Sequence, residues 1–192
     1  MEINLDKAVE IVKKGGIIIY PTDTAFGIGC RIDNPFSVDK LFAIRKRPED
    51  KAVPVLFDSI ERISEYVLPL DPRVKELMRK YWPGALTIVL KCKTDRVNHK
   101  LRGGGESLGV RIPANNLILE LIKEVGAPIV GTSANFSGEK TPFKLKDLDP
   151  ELARLTDGFL SGETKERNTS TVIDCTGPDW KILRLGAVKI NL

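Results

Sequence analysis

Residues 16–24 read Gly-Ile-Ile-Ile-Tyr-Pro-Thr-Asp-Thr, an apolar run that ends at Pro21 and opens into small polar side chains. A short apolar run bounded by glycine and proline is typical of a buried strand. A second case follows at residues 128–135, where Pro-Ile-Val leads into Gly131-Thr-Ser-Ala-Asn135. Each polar loop alone can be an ordinary capping turn. Together they favour a ligand site at strand ends, where α/β sheets usually bind their ligands.

Helical and strand patterns interleave along the rest of the chain. The predicted helix N-caps are Asn4, Ser37, Ser59, Asp71, Asn115 or Asn116, and Asp149. The predicted strands lie at residues 16–20, 53–57, 86–91, 108–112, 128–130, 171–175 and 182–185. Because some connections are too short for crossover helices, we expect an α/β sandwich whose twisted mixed sheet carries flanking helices.

The bulk composition is that of a soluble globular protein. The chain has 192 residues, of which 42% are hydrophobic and 29% charged, which suits one domain that needs neither metal nor disulfide to fold. No apolar run has the length of a membrane span, and the N-terminus lacks a secretion-signal pattern, so we expect a cytoplasmic protein without membrane contact. Cys30, Cys92 and Cys175 stand too far apart to suggest a zinc site.

Several catalytic classes leave no trace in the sequence. The single histidine, His99, has no serine nucleophile elbow near it, so a hydrolase triad is not expected. Neither a P-loop nor a complete dinucleotide fingerprint is present, and Gly103-Gly-Gly105 predicts a flexible hairpin or lid instead. No carboxylate–histidine cluster indicates a tightly bound metal.

Two basic stretches, residues 40–51 and 91–102, are compatible with either a solvated surface or an anion site. An anion site also needs converging hydroxyl or backbone donors. The hydroxyl-rich loops supply them beside the cations Arg45, Arg47, Lys51, Arg111 and Arg184. The combination favours a phosphate or carboxylate site.

Seven motifs resemble those of the YrdC/Sua-type family, in family order. They are Tyr20-Pro-Thr-Asp-Thr-Ala-Phe-Gly-Ile-Gly29, Arg47-Pro48, Trp82-Pro-Gly-Ala-Leu-Thr87, Gly109-Val-Arg-Ile-Pro113, Ser133-Ala-Asn-Phe-Ser-Gly138, Ser170-Thr-Val-Ile-Asp174 and Ile182-Leu-Arg-Leu-Gly186. The resemblance covers nearly the whole chain. It implies one YrdC-like domain over residues 1–192 with a basic concave cleft, in the form that lacks the extra C-terminal domain of longer relatives.

The resemblance also implies a reaction. Family members combine L-threonine, bicarbonate or carbon dioxide, and ATP with magnesium or manganese into threonylcarbamoyl-AMP, releasing pyrophosphate. A threonylcarbamoyl transferase complex then modifies the adenosine next to the tRNA anticodon, and direct contact with tRNA is possible. Such chemistry needs positioned substrates and neutralised phosphate charge rather than a protein nucleophile.

Site residues follow from the same resemblance. It implies that Thr24, Arg111, Gly131 and Ser170 bind L-threonine. For ATP it implies Arg47, Lys51, Ser107, Ser133, Asn135, Thr141 and Arg184. Arg45 and Arg47 are the residues it implies for catalysis, although the family commonly has Lys-x-Arg where this chain has Arg45-Lys46-Arg47. Either Arg45 takes over from the family lysine, or Lys46 reaches in from an adjacent direction.

Two other functions are compatible with parts of this pattern. A non-catalytic RNA-binding module would use the same basic concavity, with salt-sensitive binding and little specificity for ATP. A carbamoyl-adenylate chemistry of the hydrogenase-maturation type normally occurs in a much longer chain with zinc-finger-like cysteines, which this sequence lacks.

Overall fold

A computed structural model describes residues 1–166 and 168–190 of the chain. The helices are α1 (Leu5–Lys13), α2 (Pro35–Ile44), α3 (Ile60–Ser64), α4 (Pro72–Tyr81), α5 (Asn116–Val125) and α6 (Pro150–Arg154), with a 3-10 turn at Leu145–Asp147. The strands are β1 (Ile18–Pro21), β2 (Phe26–Gly29), β3 (Val55–Leu56), β4 (Leu86–Lys91), β5 (Ser107–Arg111), β6 (Ile129–Val130), β7 (Thr132–Ser133), β8 (Gly158–Phe159), β9 (Thr171–Asp174) and β10 (Lys181–Arg184).

These strands form two mixed sheets rather than one. The smaller sheet has the order β7-β2-β1-β8 and the larger the order β10-β9-β4-β5-β3-β6. Each sheet contains both parallel and antiparallel pairs. The mixed α/β class with flanking helices is therefore confirmed, and the single sheet expected from the sequence is corrected to two.

The two sheets are joined where β2 approaches β6. The Val130 amide donates a hydrogen bond to the Cys30 carbonyl oxygen, and the Tyr20 hydroxyl donates one to the Val130 carbonyl oxygen. Any side chain at Gly29 would overlap that Val130 oxygen. Gly29 therefore permits the close backbone approach that brings the sheets together.

Most predicted helix boundaries are confirmed. Asn4, Ser59, Asp71, Asn115 and Asp149 each accept a backbone N–H at the start of their helix. A side-chain oxygen at this position satisfies an amide that has no partner within the helix. In the described ranges, no helix is both long and apolar enough to cross a membrane.

The start and end of α2 differ from the prediction. Asn34 is the N-cap and Pro35 the first helical residue, while the Ser37 hydroxyl donates to the Gly15 carbonyl oxygen. Asn-Pro is itself a helix-start signature, and it outcompetes the serine three positions later. The helix ends at Ile44, so Arg45 is its C-cap and the following basic residues lie beyond it.

Candidate active site

The space between the two sheets holds a cavity of about 460 Å³. Its floor is one face of the larger sheet, where Val89 of β4 pairs with Gly109 of β5 and Asp174 of β9. Because strand side chains alternate between faces, every second residue of these strands points into the cavity. The polar loops after β1 and β6 form the walls. The expected ligand crevice is therefore a cavity with polar walls.

Arg111 lies at one end of this cavity and is almost fully buried. Its Nε donates to the Gly84 carbonyl oxygen at 2.9 Å, Nη1 to the Thr24 hydroxyl at 2.9 Å, and Nη2 to Asp23 Oδ1 at 2.6 Å. Burial lowers the pKa of the Arg111 guanidinium, and the Asp23 carboxylate opposes that shift. The side chain is thus held from three directions.

The loop that carries Thr24 is shaped by its own hydroxyl groups. Thr22 Oγ1 accepts the backbone N–H groups of Thr24 and Ala25, donates to the Ala25 carbonyl oxygen, and lies 3.0 Å from Thr24 Oγ1. Such a turn fixes the backbone locally. Thr24 is therefore presented to the cavity beside Arg111.

Arg184 enters the cavity from β10 and is held against Ser170. Its Nε and Nη2 both donate to the Ser170 carbonyl oxygen, and Nη2 also donates to Ser170 Oγ. The Ser170 hydroxyl in turn shares a hydrogen bond of 2.9 Å with Thr87 Oγ1. The pKa of Arg184 is lowered, mainly by burial and to a smaller extent by the positive charge of nearby Arg111. These contacts connect the last strand to the floor of the cavity.

Arg47 supplies a third cation. Its Nε donates to the Lys51 carbonyl oxygen at 2.9 Å and its Nη2 to the Ala52 carbonyl oxygen at 2.6 Å. Burial lowers the pKa of its guanidinium. The Lys51 side chain is exposed and does not line the cavity, while its carbonyl oxygen accepts the hydrogen bond from Arg47.

Arg45 does not reach the cavity, contrary to the role expected for it. It is 2% exposed, and its nitrogens donate to the Asn135 carbonyl oxygen, the Asn135 side-chain oxygen and the Thr132 hydroxyl. Burial, with a smaller effect of Arg47, lowers the pKa of Arg45 to about 10. Lys46 lies instead with its ammonium group 4.6 Å from the Phe136 ring centre. Neither Arg45 nor Lys46 lines the cavity.

Asn135 also lies behind the cavity wall. Its amide nitrogen donates to the Phe136 and Glu139 carbonyl oxygens, and its side-chain oxygen accepts from the Ser133 hydroxyl as well as from Arg45. These bonds fix the loop that follows Ser133 of β7. Asn135 thus braces the site rather than lining it.

The structure brings most of the predicted residues together. Those that line the cavity are Thr24, Arg47, Ser107, Arg111, Gly131, Ser133, Thr141, Ser170 and Arg184. Those outside the lining are Arg45, Lys51 and Asn135. Sequence reasoning missed Asp23, Gly84, Thr87 and Asp174. Gly84 lies in the family-like motif Trp82-Pro-Gly-Ala-Leu-Thr87, and its carbonyl oxygen accepts a hydrogen bond from Arg111.

The donor set around the cavity suits a metal ion that arrives with a phosphate ligand. The described residues contain no group of three or more His, Cys, Asp or Glu side chains placed to hold a metal. Among them, Asp174 is the one carboxylate that lines the cavity, and its Oδ1 accepts the Thr176 N–H at 2.9 Å. Mg²⁺ is commonly bound by one or two carboxylates, water and substrate phosphates. Asp174 can supply such a carboxylate.

The chain has similarities to known proteins over most of its length. A family model described as "Telomere recombination" (Sua5_yciO_yrdC) matches residues 10–186. A threonylcarbamoyl-AMP synthase of Bacillus subtilis (strain 168) is 33% identical over 95% of this chain and 53% of the relative. One of Stenotrophomonas maltophilia (strain K279a) is 35% identical over 85% of this chain and 88% of the relative.

Solved structures share the fold. The P. abyssi Sua5 complexed with L-threonine has a TM-score of 0.88 at 28% identity, covering 97% of this chain and 56% of that one. E. coli YciO has a TM-score of 0.86 at 28% identity, covering 96% of this chain and 90% of that one. The chain thus spans about half the length of the B. subtilis relative and of the P. abyssi protein.

Proposed function

The chain belongs to the Sua5/YciO/YrdC family, and from that premise we propose that it is a threonylcarbamoyl-AMP synthase. In this reaction L-threonine, bicarbonate or carbon dioxide, and ATP give threonylcarbamoyl-AMP and pyrophosphate. The observation that carries the proposal is the joint placement of Arg47, Arg111 and Arg184 in one cavity with the hydroxyl groups of its walls. Such a cavity suits an amino acid beside a nucleotide's phosphates.

The L-threonine end is the one around Arg111. Three of the five guanidinium N–H donors are used within the described residues, which leaves one on each terminal nitrogen for a carboxylate. Thr24 and Ser170 offer hydroxyl groups beside it. At Gly131 a Cβ would lie 2.6 Å from Leu56 Cγ, so the bare backbone forms the wall there. The P. abyssi Sua5 complexed with L-threonine supports L-threonine as the amino-acid substrate.

The nucleotide end is the one around Arg47. The positive charge of its guanidinium is not offset by these partners, because both hydrogen-bond acceptors are neutral carbonyl oxygens. Ser107, Ser133 and Thr141 add hydroxyl groups that can donate to phosphate oxygens. Magnesium or manganese, held by Asp174 and the phosphates, would neutralise phosphate charge when bound.

The residues act by binding and orientation. The threonine amine combines with carbon dioxide, losing a proton, or with bicarbonate, losing water, to form a carbamate. A carbamate oxygen then attacks the α-phosphorus of ATP, and pyrophosphate leaves. Holding these groups in line removes the entropic cost of their encounter. The cavity arginines stabilise the negative charge that spreads over the phosphoryl oxygens. No protein nucleophile is needed.

The product would pass to a threonylcarbamoyl transferase complex that acts on tRNA. Direct contact of this chain with tRNA, its residence in the cytoplasm and its single-domain organisation over residues 1–192 stay predictions. The non-catalytic RNA-binding alternative differs in its requirement for small substrates, because it binds RNA without needing threonine or ATP.

Pyrophosphate release tests the proposal. We expect release from ATP that requires both L-threonine and bicarbonate, with each omission reducing the rate to background. An Arg79→Ala variant should release pyrophosphate at the wild-type rate, because Arg79 is exposed on α4 outside the cavity. Release at an equal rate without threonine would contradict the synthase assignment. Salt-sensitive RNA binding in the absence of any pyrophosphate release would favour the RNA-binding alternative.

A further inference from the structure

Asp23 is a buried carboxylate next to the cavity for which the reaction outlined above has no role. It lies in the loop between β1 and β2 and is 4% exposed. Its Oδ1 accepts a hydrogen bond from Arg111 Nη2 at 2.6 Å, and the side chains of the pair are 5% and 7% exposed. Asp23 is not itself part of the cavity lining. Any influence on a bound ligand must therefore pass through Arg111.

The pair has a clear electrostatic basis. A guanidinium removed from water is costly unless a carboxylate or a set of hydrogen-bond acceptors compensates it. The other two acceptors on Arg111, the Gly84 carbonyl and the Thr24 hydroxyl, are neutral. Asp23 is thus the carboxylate that compensates the Arg111 charge when no ligand is bound.

Geometry adds to the effect of charge. Gly84 fixes the Nε side of the guanidinium, while Thr24 and Asp23 each fix one terminal nitrogen. A planar group held at three corners cannot rotate without losing at least one bond. Its two remaining N–H donors therefore keep a constant direction, which a carboxylate needs for a two-bond contact.

Asp23 is itself anchored from the opposite side. Its carbonyl oxygen accepts the backbone N–H groups of Lys165, at 3.1 Å, and Glu166, at 2.8 Å. The segment before β9 thereby holds the loop that supplies the carboxylate. These bonds fix the Asp23 backbone, and the hydrogen bond to Arg111 fixes its carboxylate relative to β5, the strand that carries Arg111.

We propose that Asp23 is a positioning residue that aims Arg111 at the carboxylate of the amino-acid substrate. This inference rests on the proposed function, in which Arg111 binds the carboxylate of L-threonine. The positioning role predicts different effects on the two substrates. Loss of Asp23 impairs L-threonine binding at the Arg111 end of the cavity and spares ATP binding at the end around Arg47. A merely structural contribution of Asp23 to the fold would affect both ends alike.

The test compares Michaelis constants for two substrates in pyrophosphate release. Asp23→Asn keeps the size of the side chain but replaces the charge-assisted hydrogen bond to Arg111 with a weaker neutral one, so Arg111 is oriented less firmly. We expect the KM for L-threonine to rise at least tenfold. The KM for ATP should stay within twofold of wild type. Asp33→Asn is the matched control, because Asp33 pairs with Arg31 outside the cavity and should leave both constants unchanged.

A second step asks whether the effect passes through Arg111. In an Arg111→Lys background, adding Asp23→Asn should raise the KM for L-threonine by less than threefold, because the group that Asp23 aims is already altered. An undiminished tenfold rise in that background would overturn the positioning role. So would a KM for L-threonine within twofold of wild type in folded Asp23→Asn, or an equal rise in both constants.

Two further outcomes are also decisive. If Asp23→Asn fails to fold by circular dichroism, Asp23→Glu keeps the charge and displaces the carboxylate by one methylene. A selective rise of the L-threonine KM in Asp23→Glu supports the inference, and equal changes for both substrates overturn it.

Wild-type protein without threonine-dependent release would contradict the proposed function, and this inference with it. Active wild type with unselective variants contradicts this inference alone.

Discussion

At the scale of single residues, the cavity arginines are oriented mainly by backbone carbonyl oxygens. Arg47 donates to the carbonyls of Lys51 and Ala52, and Arg184 to the carbonyl of Ser170. A neutral acceptor fixes the direction of a guanidinium without cancelling its charge, so the attraction for an anion is kept. Arg111 differs because a carboxylate also holds it.

Arg47→Ala should weaken the handling of ATP. Removing a charge-assisted contact typically costs about 1.5–3 kcal/mol, or roughly 10- to 150-fold in kcat/KM for ATP. The urea midpoint should hardly change, because Arg47 is only partly buried and its partners are carbonyls that water can reach. Steady-state kinetics with Arg79→Ala as control measures this. An unchanged kcat/KM would show that Arg47 does not contact the nucleotide.

Arg111→Ala should destabilise the fold as well as the site. It leaves the Asp23 carboxylate buried without its cation, and breaking one side of a buried pair costs about 3–5 kcal/mol. Urea unfolding measures the loss, and Arg47→Ala is the comparison that removes an arginine without stranding a buried charge. A midpoint for Arg111→Ala equal to that of wild type would show that the pair contributes little to stability.

The sequence predicts the polar residues of the site better than it predicts their partners. The family resemblance implied that Thr24 and Ser170 belong to the site, and both line the cavity. The link from Asp23 to Arg111 joins positions 88 residues apart, and no local pattern encodes it. Arg45 shows the converse, since a basic helix end is evident from sequence but the direction in which the chain turns after the helix is not.

At the scale of elements, Arg45 joins the end of α2 to the loop after β7. Its hydrogen bonds to Thr132 of β7 and to Asn135 in this loop fix both segments, and β7 presents Ser133 to the cavity. The Ser137 amide also donates to the Arg45 carbonyl oxygen. Arg45 therefore supports the cavity wall around Ser133 from behind and does not itself line the cavity.

Arg45→Lys should affect stability and nucleotide binding together. An ammonium group cannot reproduce the planar fork that reaches three oxygens at once. We expect a lower urea midpoint and a KM for ATP raised several-fold, with the KM for L-threonine unchanged. Lys46→Met, which removes only a contact with Phe136, is the control and should have little effect. A direct phosphate role would instead leave the midpoint unchanged.

Elements with strong local signals were the ones predicted correctly. β4 matches residues 86–91 at both ends, and the capped helices other than α2 begin where expected. The strands β2, β7 and β8 were not predicted, because their sequences Phe-Gly-Ile-Gly, Thr-Ser and Gly-Phe contain glycine or small polar residues in place of an apolar, β-branched run. Their pairing partners, rather than local propensity, make them strands.

At the scale of the whole molecule, the cavity exists because two sheets meet at a narrow junction. Gly29 and Val130 meet at this junction, and the polar segments that follow β1 and β6 open beside it. The second sheet could not be derived from the sequence, because β2 and β7 depend on contacts across the chain. The family resemblance, by contrast, indicated the correct fold class without resolving the sheets.

Gly29→Ala should loosen this junction. The added methyl would overlap a backbone oxygen that cannot move alone, so the sheets must shift, and overpacking of this kind costs about 1–3 kcal/mol or more. Gly177→Ala is the matched control, because a Cβ there meets nothing within 4 Å. Urea unfolding of both variants measures the difference. Equal midpoints would show that the sheets are not held this closely.

In the proposed function, one cavity joins an amino acid to a nucleotide. The most direct measurement is mass spectrometry of the adenylate formed from ATP, ¹⁵N-labelled L-threonine and ¹³C-labelled bicarbonate. We predict one product that contains AMP together with both labels. A product that carries only one label, or AMP and pyrophosphate without any labelled adenylate, would contradict the account.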